Sequence, residues 1–292
     1  MRASHAARTP HTSRGFTLIE LGITIVVGSV VVAFMAMFIV TPLFGYTAQT
    51  RRATLVDEAD GALRFMGRDI KSALPNSVRV TTSGTVTAVE FLSTLDGARY
   101  VDGAPLANPA LALDFTTTDT AFSTSVPFSQ ITLPWSSTSA YLVIYNVGVP
   151  GANAYDTANV ITPAGTTISI AAGSAANQNL VTMSPGFQFA FESPEKRVYL
   201  VSGPVSYLCD TSAGTLTRYS GYSISSTQPT SAATLTTAGA TAAQVTGDVA
   251  SCTFTYNAGT PSRNALVELN MQFSNSGESV QLLYEVQLVN SP

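Results

Sequence analysis

The sequence predicts an α+β chain in which a long N-terminal helix, transmembrane in its first half and amphipathic in its second, packs on a mostly antiparallel β-sheet head. Three observations predict it. From Phe16 to Val40 the only ionisable side chain is Glu20, and the next charge is Arg51. From 46 to 74 apolar residues recur at helical spacing. Beyond Ser77 that period gives way to short alternating runs rich in Val, Tyr, Phe and Thr.

Residues 1–15 hold Arg2, Arg8 and Arg14 and no acid. Positive charge before an apolar span keeps that end cytoplasmic and sends the rest across. The next 25 residues span about 37 Å as a helix, enough for a bilayer core of about 30 Å. The span is too long for an ordinary secretory signal, and no Ala-x-Ala cleavage site follows promptly. Gly22, Gly28 and Ser29 offer small surfaces for close helix contact, although small residues are also ordinary in membrane helices.

Residues 14–20 read Arg-Gly-Phe-Thr-Leu-Ile-Glu and run directly into Leu21-Gly22-Ile23-Thr24-Ile25-Val26-Val27. This stretch resembles the class III signal of type IV prepilins and pseudopilins. The resemblance implies cleavage between Gly15 and Phe16 by a prepilin peptidase and N-methylation of Phe16 by the same enzyme. It also makes Glu20 the fifth residue of the mature chain. A carboxylate within an apolar span costs a few kcal/mol and needs a partner or a purpose. The charged amine of Phe16, on the same chain or a neighbour, would supply one and set axial register. The plainer alternative is a glutamate that snorkels to water.

Pro42 and Gly45 should kink or interrupt the helix, dividing the chain into a span at 16–41 and an amphipathic helix at 42–76. In the latter Leu55, Ala59, Ala62, Met66, Ile70 and Ala73 form the apolar stripe, widened by Leu63 and Leu74. Asp57, Glu58 and Asp60 read as a solvated face, and Leu74-Pro75-Asn76 ends the helix.

The head, 77–292, is expected to be a β-rich periplasmic domain. Its candidate strands are 77–82, 86–93, 98–102, 141–147, 166–171, 187–192, 196–209, 215–222, 252–257, 265–274 and 279–289, separated by turns such as Asp96-Gly97, Pro150-Gly151 and Ser276-Gly277. Residues 150–180 and 223–248, dominated by Ala, Ser, Thr, Gly and Asn, are expected to be surface loops or flexible insertions. Cys209 and Cys252 are the only cysteines and would pair in an oxidising periplasm, with two buried thiols as the alternative.

The layout resembles a pilin-like subunit, and its length suggests a minor or initiating one. Arg52–Val80, Val89-Glu90-Phe91-Leu92, Gly97-Ala98-Arg99-Tyr100 and the close from Leu266 to Pro292 resemble MshO-type minor subunits of mannose-sensitive haemagglutinin (MSHA) pili. The close is similar to PilW-like minor pilins as well. The partners so implied are prepilin peptidase, other major and minor pilin-like subunits and the inner membrane. Loss of the three leader arginines leaves eleven basic against eighteen acidic side chains, a charge near −7 that argues against nucleic acid.

Catalysis is not expected. Both histidines, His5 and His11, sit in the leader, so Ser–His and Cys–His nucleophiles are excluded from the mature chain. No phosphate loop, metal-ligand spacing or Cys-x-x-Cys occurs, and no cofactor or metal is expected. Two other roles stay open. One is a type II secretion pseudopilin. The other is an adhesive tip whose face is built from Trp135, Tyr141, Tyr145, Tyr155, Tyr219 and Tyr222.

Overall fold

The computed structural model describes residues 15–101, 103, 111–260 and 263–289, the side chains of 40–42 excepted. The leader residues 1–14, with their arginines and histidines, lie outside the described residues.

Helix α1 runs without a break from Leu18 to Lys71, 54 residues. The expected interruption at Pro42–Gly45 is not observed, and the 41/42 boundary falls inside this helix. A proline removes one backbone donor and crowds one carbonyl. That is a local loss. Every other backbone group of an apolar segment still needs its intrahelical partner.

The chain divides near Ala53 into two units. From Gly15 to Ala53 no described side chain is buried, and the apolar side chains of Phe16–Ile39 face outward on every side of the helix. From Leu55 the stripe read in the sequence becomes core: Leu55, Ala59, Ala62, Leu63, Met66 and Ile70 are all buried. The helix stops where Ser72 turns its amide and hydroxyl onto the Asp69 carbonyl. Asn76, just past Pro75, adopts a left-handed φ of 60°.

The larger sheet contains β1 (Arg79–Ser83), β2 (Val86–Tyr100), β3 (Asp119–Val126), β4 (Trp135–Ser137), β5 (Tyr141–Val143), β6 (Thr167–Ala172), β7 (Asn179–Phe187), β8 (Arg197–Asp210), β9 (Thr215–Ser220) and β10 (Thr241–Thr246). Its main path is β10-β9-β8-β2-β3-β7-β6-β4, with β1 on β2 and β5 on β8. A second sheet, β11 (Val249–Asn257), β12 (Ala265–Asn275) and β13 (Glu278–Leu288), is an antiparallel meander. Its tight Ser276-Gly277 turn has positive φ at both residues, as the twist of a two-residue hairpin demands.

One core joins the stripe of α1 to Val89, Phe91, Val205, Tyr207 and Leu216 of the larger sheet and to Val267, Leu269, Met271 and Phe273 of the meander. A second fills the far end of the long β2–β8 ladder with Tyr100, Phe122, Ile168, Ile170, Val181 and Phe189. Short helix α2 (Ala232–Thr237) buries Leu235 against Leu208, Tyr219 and Tyr222.

Several expectations need correction. Asp96-Gly97 is no turn but lies within β2, next to bulges at Ser93–Asp96. Its carboxylate accepts the amides of Gly97 and Gln130, so an apparent turn signal is a buried polar tie. Residues 187–192 form no strand beyond Phe187, although Phe189 is buried; the true partner is β7, whose Asn, Thr and Ser hid its alternation. Strands β3, β4 and β10 also escaped the sequence reading. Nor is 150–180 a loose excursion: Ala152, Ala154, Tyr155, Val160 and Ile161 pack on Leu74, Leu92 and Val143, and β6 follows. Similarly, 223–248 contains α2 and β10.

Candidate functional site

Residues 15–17 precede the helix and are exposed, so the Gly15–Phe16 bond is open to a protease. Thr17 sits where the helix starts. Its carbonyl accepts the Leu21 amide, and its hydroxyl accepts the Glu20 amide at 3.3 Å and lies 3.5 Å from Glu20 Oε2. Thr17-Leu18-Ile19-Glu20 is therefore a helix start of the capping-box kind, with the acid at the third helical position. The sequence reading missed this role of Thr17, although Thr-x-x-Glu before an apolar run is its ordinary signature.

The same geometry bears on Glu20. A helix N-terminus carries the positive end of the macrodipole, worth about 0.3–1 kcal/mol to a nearby carboxylate and as much against a cation. An amine released at Phe16 would stand at this unfavourable end. Glu20 is the acid in this first turn.

Farther along, Gly22 and Gly28 have nothing within 4 Å of where a Cβ would sit. Glycine weakens a helix by about 1 kcal/mol relative to alanine, and no packing among the described residues explains it here. Ile19, Gly22, Ile23, Val26 and Val27 line a shallow, almost wholly apolar groove of about 400 Å³. Two polar side chains inside the span are satisfied: Thr24 and Ser29 donate to the Leu21 and Val26 carbonyls at 2.9 and 2.8 Å.

In the head, Cys209 of β8 and Cys252 of β11 form a disulfide, with Cα atoms 6.6 Å apart and a sequence separation of 43. It joins the two sheets. Closing a loop of that size stabilises by about 4 kcal/mol on the chain-entropy account.

The aromatic residues considered for a binding face are dispersed. Tyr155, Tyr219 and Tyr222 are buried. Tyr155 donates to the Ser77 carbonyl at 3.0 Å, and Tyr222 donates to Glu90 at 2.9 Å. Trp135 lies at the edge of the second core, and Tyr141 packs against the cluster of Leu74, Leu92, Val143 and Ile161. Tyr145 pairs with Phe191 at 5.9 Å. Of the three acids on the α1 face, Asp57 is exposed, Asp60 pairs with Arg64 at 2.6 Å, and Glu58 accepts the Thr246 hydroxyl at 2.7 Å. Asp69, not singled out in the sequence, accepts from Tyr207 at 2.8 Å and from Arg218 at 2.6 Å, tying α1 to β8 and β9.

No curated protein and no solved structure matches the chain. Residues 10–36 match the family described as the prokaryotic N-terminal methylation motif. That segment contains Gly15, Phe16, Thr17 and Glu20 and enters α1, so the chain carries the class III signal of type IV pilin-like proteins ahead of a helix long and apolar enough to cross a membrane.

Proposed function

We propose that the chain is a minor pilin-like structural subunit that helps initiate or cap a type IV pilus of the MSHA type. The observation that carries the reading is the methylation motif at the exposed start of an apolar helix that the described residues leave uncovered. Prepilin peptidase would cut between Gly15 and Phe16 and methylate Phe16. The subunit would then wait in the inner membrane with its head in the periplasm. Leader arginines favour that orientation, and the Cys209–Cys252 disulfide suits an oxidising compartment. Other pilin-like subunits would cover the exposed helix during assembly. Membership of the MSHA group rests on the resemblances at Arg52–Val80, Val89–Leu92, Gly97–Tyr100 and the C-terminal strands. The role is structural, and no catalytic step is assigned.

Intact mass and N-terminal sequencing of membrane-extracted protein, from cells with and without prepilin peptidase, test the first step. A chain starting at N-methylated Phe16 only when the peptidase is present is the expected result. A chain starting at Met1 in both strains would overturn the proposal.

A further inference from the structure

Six lysine and arginine side chains follow residue 77, namely Arg79, Arg99, Lys196, Arg197, Arg218 and Arg263. Arg79 is paired with Glu90 and Arg218 with Asp69. Arg99, Lys196 and Arg197 gather at one end of the β2–β8 ladder, where Arg99 and Arg197 stand directly opposite each other. Like charges so placed destabilise an antiparallel pair. Glu195 lies between them. Arg197 grips it through Nε at 3.0 Å and Nη2 at 2.6 Å, whereas Arg99 reaches it only through Nη2 at 3.4 Å. Among the described residues, one carboxylate thus serves two guanidinium groups. Asp96, the nearest acid along β2, is buried and occupied by the Gly97 and Gln130 amides.

The two arginines border an open cleft of about 230 Å³ whose other walls are Gly97, Ala98, Val126 and Tyr199. Gly97, opposite Tyr199 across the ladder, leaves room for the tyrosine ring, whose Cδ1 would lie 3.4 Å from a Cβ at that position. Val126, which pairs with Arg99 from β3, is 49 % exposed.

We propose that this cleft binds a carboxylate-bearing sugar unit of an acidic polysaccharide. The planar guanidinium of Arg99 has donors left for a carboxylate, and Arg is suited to gripping one bidentately. An acidic peptide side chain would need only the cations. A sugar ring also uses the aromatic wall of Tyr199 and the apolar Val126, the mixture of aromatic surface and few polar anchors that small-ligand sites employ. The cleft is open and smaller than a drug-sized pocket, which fits one residue of a longer chain rather than an engulfed ligand.

The test is calorimetric titration of the detergent-solubilised full chain with an oligogalacturonate, beside a neutral oligohexose of equal length and a glutamate-rich peptide. Arg99→Gln is the informative variant because Arg99 is half exposed and makes one long contact, so folding does not depend on it. Saturable binding of the oligogalacturonate, weakened about tenfold or more by Arg99→Gln and by Tyr199→Leu, is the expected result. Equal binding of the neutral sugar, binding of the peptide alone, an Arg99→Gln affinity within twofold of the parent, or no binding at all would each overturn the proposal. None of these outcomes depends on filament assembly.

Discussion

Glu90 has no solvent exposure on β2, yet it carries Arg79 at 2.6 Å and accepts the Tyr222 hydroxyl at 2.9 Å. The Arg79 guanidinium also covers the Tyr155 ring at 3.7 Å and donates to the Ser225 and Ser226 carbonyls, pinning the segment after β9. Burial penalises the ionised carboxyl more than Arg79 and Tyr222 relieve it, so its pKa is raised above the ordinary 4.5. The sign follows from linkage. An acid raised in the folded state contributes stability fully below its unfolded value, and that contribution falls as pH climbs through the folded value. Glu90→Gln removes the proton exchange and mimics the protonated parent, in which Arg79 likewise lacks its anion, so parent and variant should be of similar stability at low pH. Thermal melts from about pH 4 to about pH 8 should therefore show the parent losing stability relative to the variant as pH rises. Parallel curves would show that Glu90 does not titrate in the native range. Glu20 predicts a different separation. On the proposed reading Glu20→Leu removes the charge that would offset the Phe16 amine, together with the acid of the Thr17 cap, but leaves Gly15 and Phe16 in place, so peptidase cleavage should proceed as in the parent. Its recovery in sheared filaments should fall about tenfold, since about 1.4 kcal/mol of lost pairing suffices for that. Normal incorporation of Glu20→Leu would remove the register role from Glu20.

Among the elements, α1 meets the meander at Gly67, where an added Cβ would overlap the Tyr284 ring of β13. Alanine in a helix is favoured over glycine by about 1 kcal/mol, while forcing extra volume into a packed contact costs about 1–3 kcal/mol. The overlap should win. Gly67→Ala is expected to lower stability by about 1–2 kcal/mol in denaturant titrations, and Tyr284→Ala in the same chain to cancel that loss. A Gly67→Ala chain more stable than the parent would mean that the ring moves freely. This contact illustrates what the sequence did not disclose. The stripe from Leu55 to Ile70 was legible because each position repeats at the helical period, and β12 and β13 because they alternate over eleven residues. Gly67 was silent because its partner lies more than two hundred positions away. Likewise β3, β7 and β10 use Thr, Ser, Asn and Ala on half-buried faces, so no clear alternation marks them in the sequence, and the composition of 223–248 reads as a loop where β10 lies. The start of α1 was legible as a motif, but the hydrogen bonds of Thr17 that make it a cap were not.

At the scale of the whole molecule, the chain divides near Ala53 into two units with different demands. Up to that residue no described side chain of α1 is buried, and its apolar part needs lipid, detergent or other subunits around it. Beyond it, the same helix becomes indispensable to the head. Leu55, Leu63, Met66 and Ile70 are at most 4 % exposed. At about 1.5–3 kcal/mol each, their burial contributes about 6–12 kcal/mol, as much as the whole net stability of a typical domain. Two truncations should therefore behave oppositely. A chain beginning at Arg51 retains the stripe, the Asp69–Arg218–Tyr207 tie and the disulfide. It should be soluble without detergent and melt cooperatively. A chain beginning at Ser77 keeps every strand and both cysteines yet exposes the apolar faces of β2, β8 and the meander, and it should aggregate or bind hydrophobic dyes. Circular dichroism melts and sedimentation of the two chains decide the matter. A stable, monomeric Ser77 chain would mean that the sheets form a core without the helix, and that α1 is an attachment to the head rather than part of it.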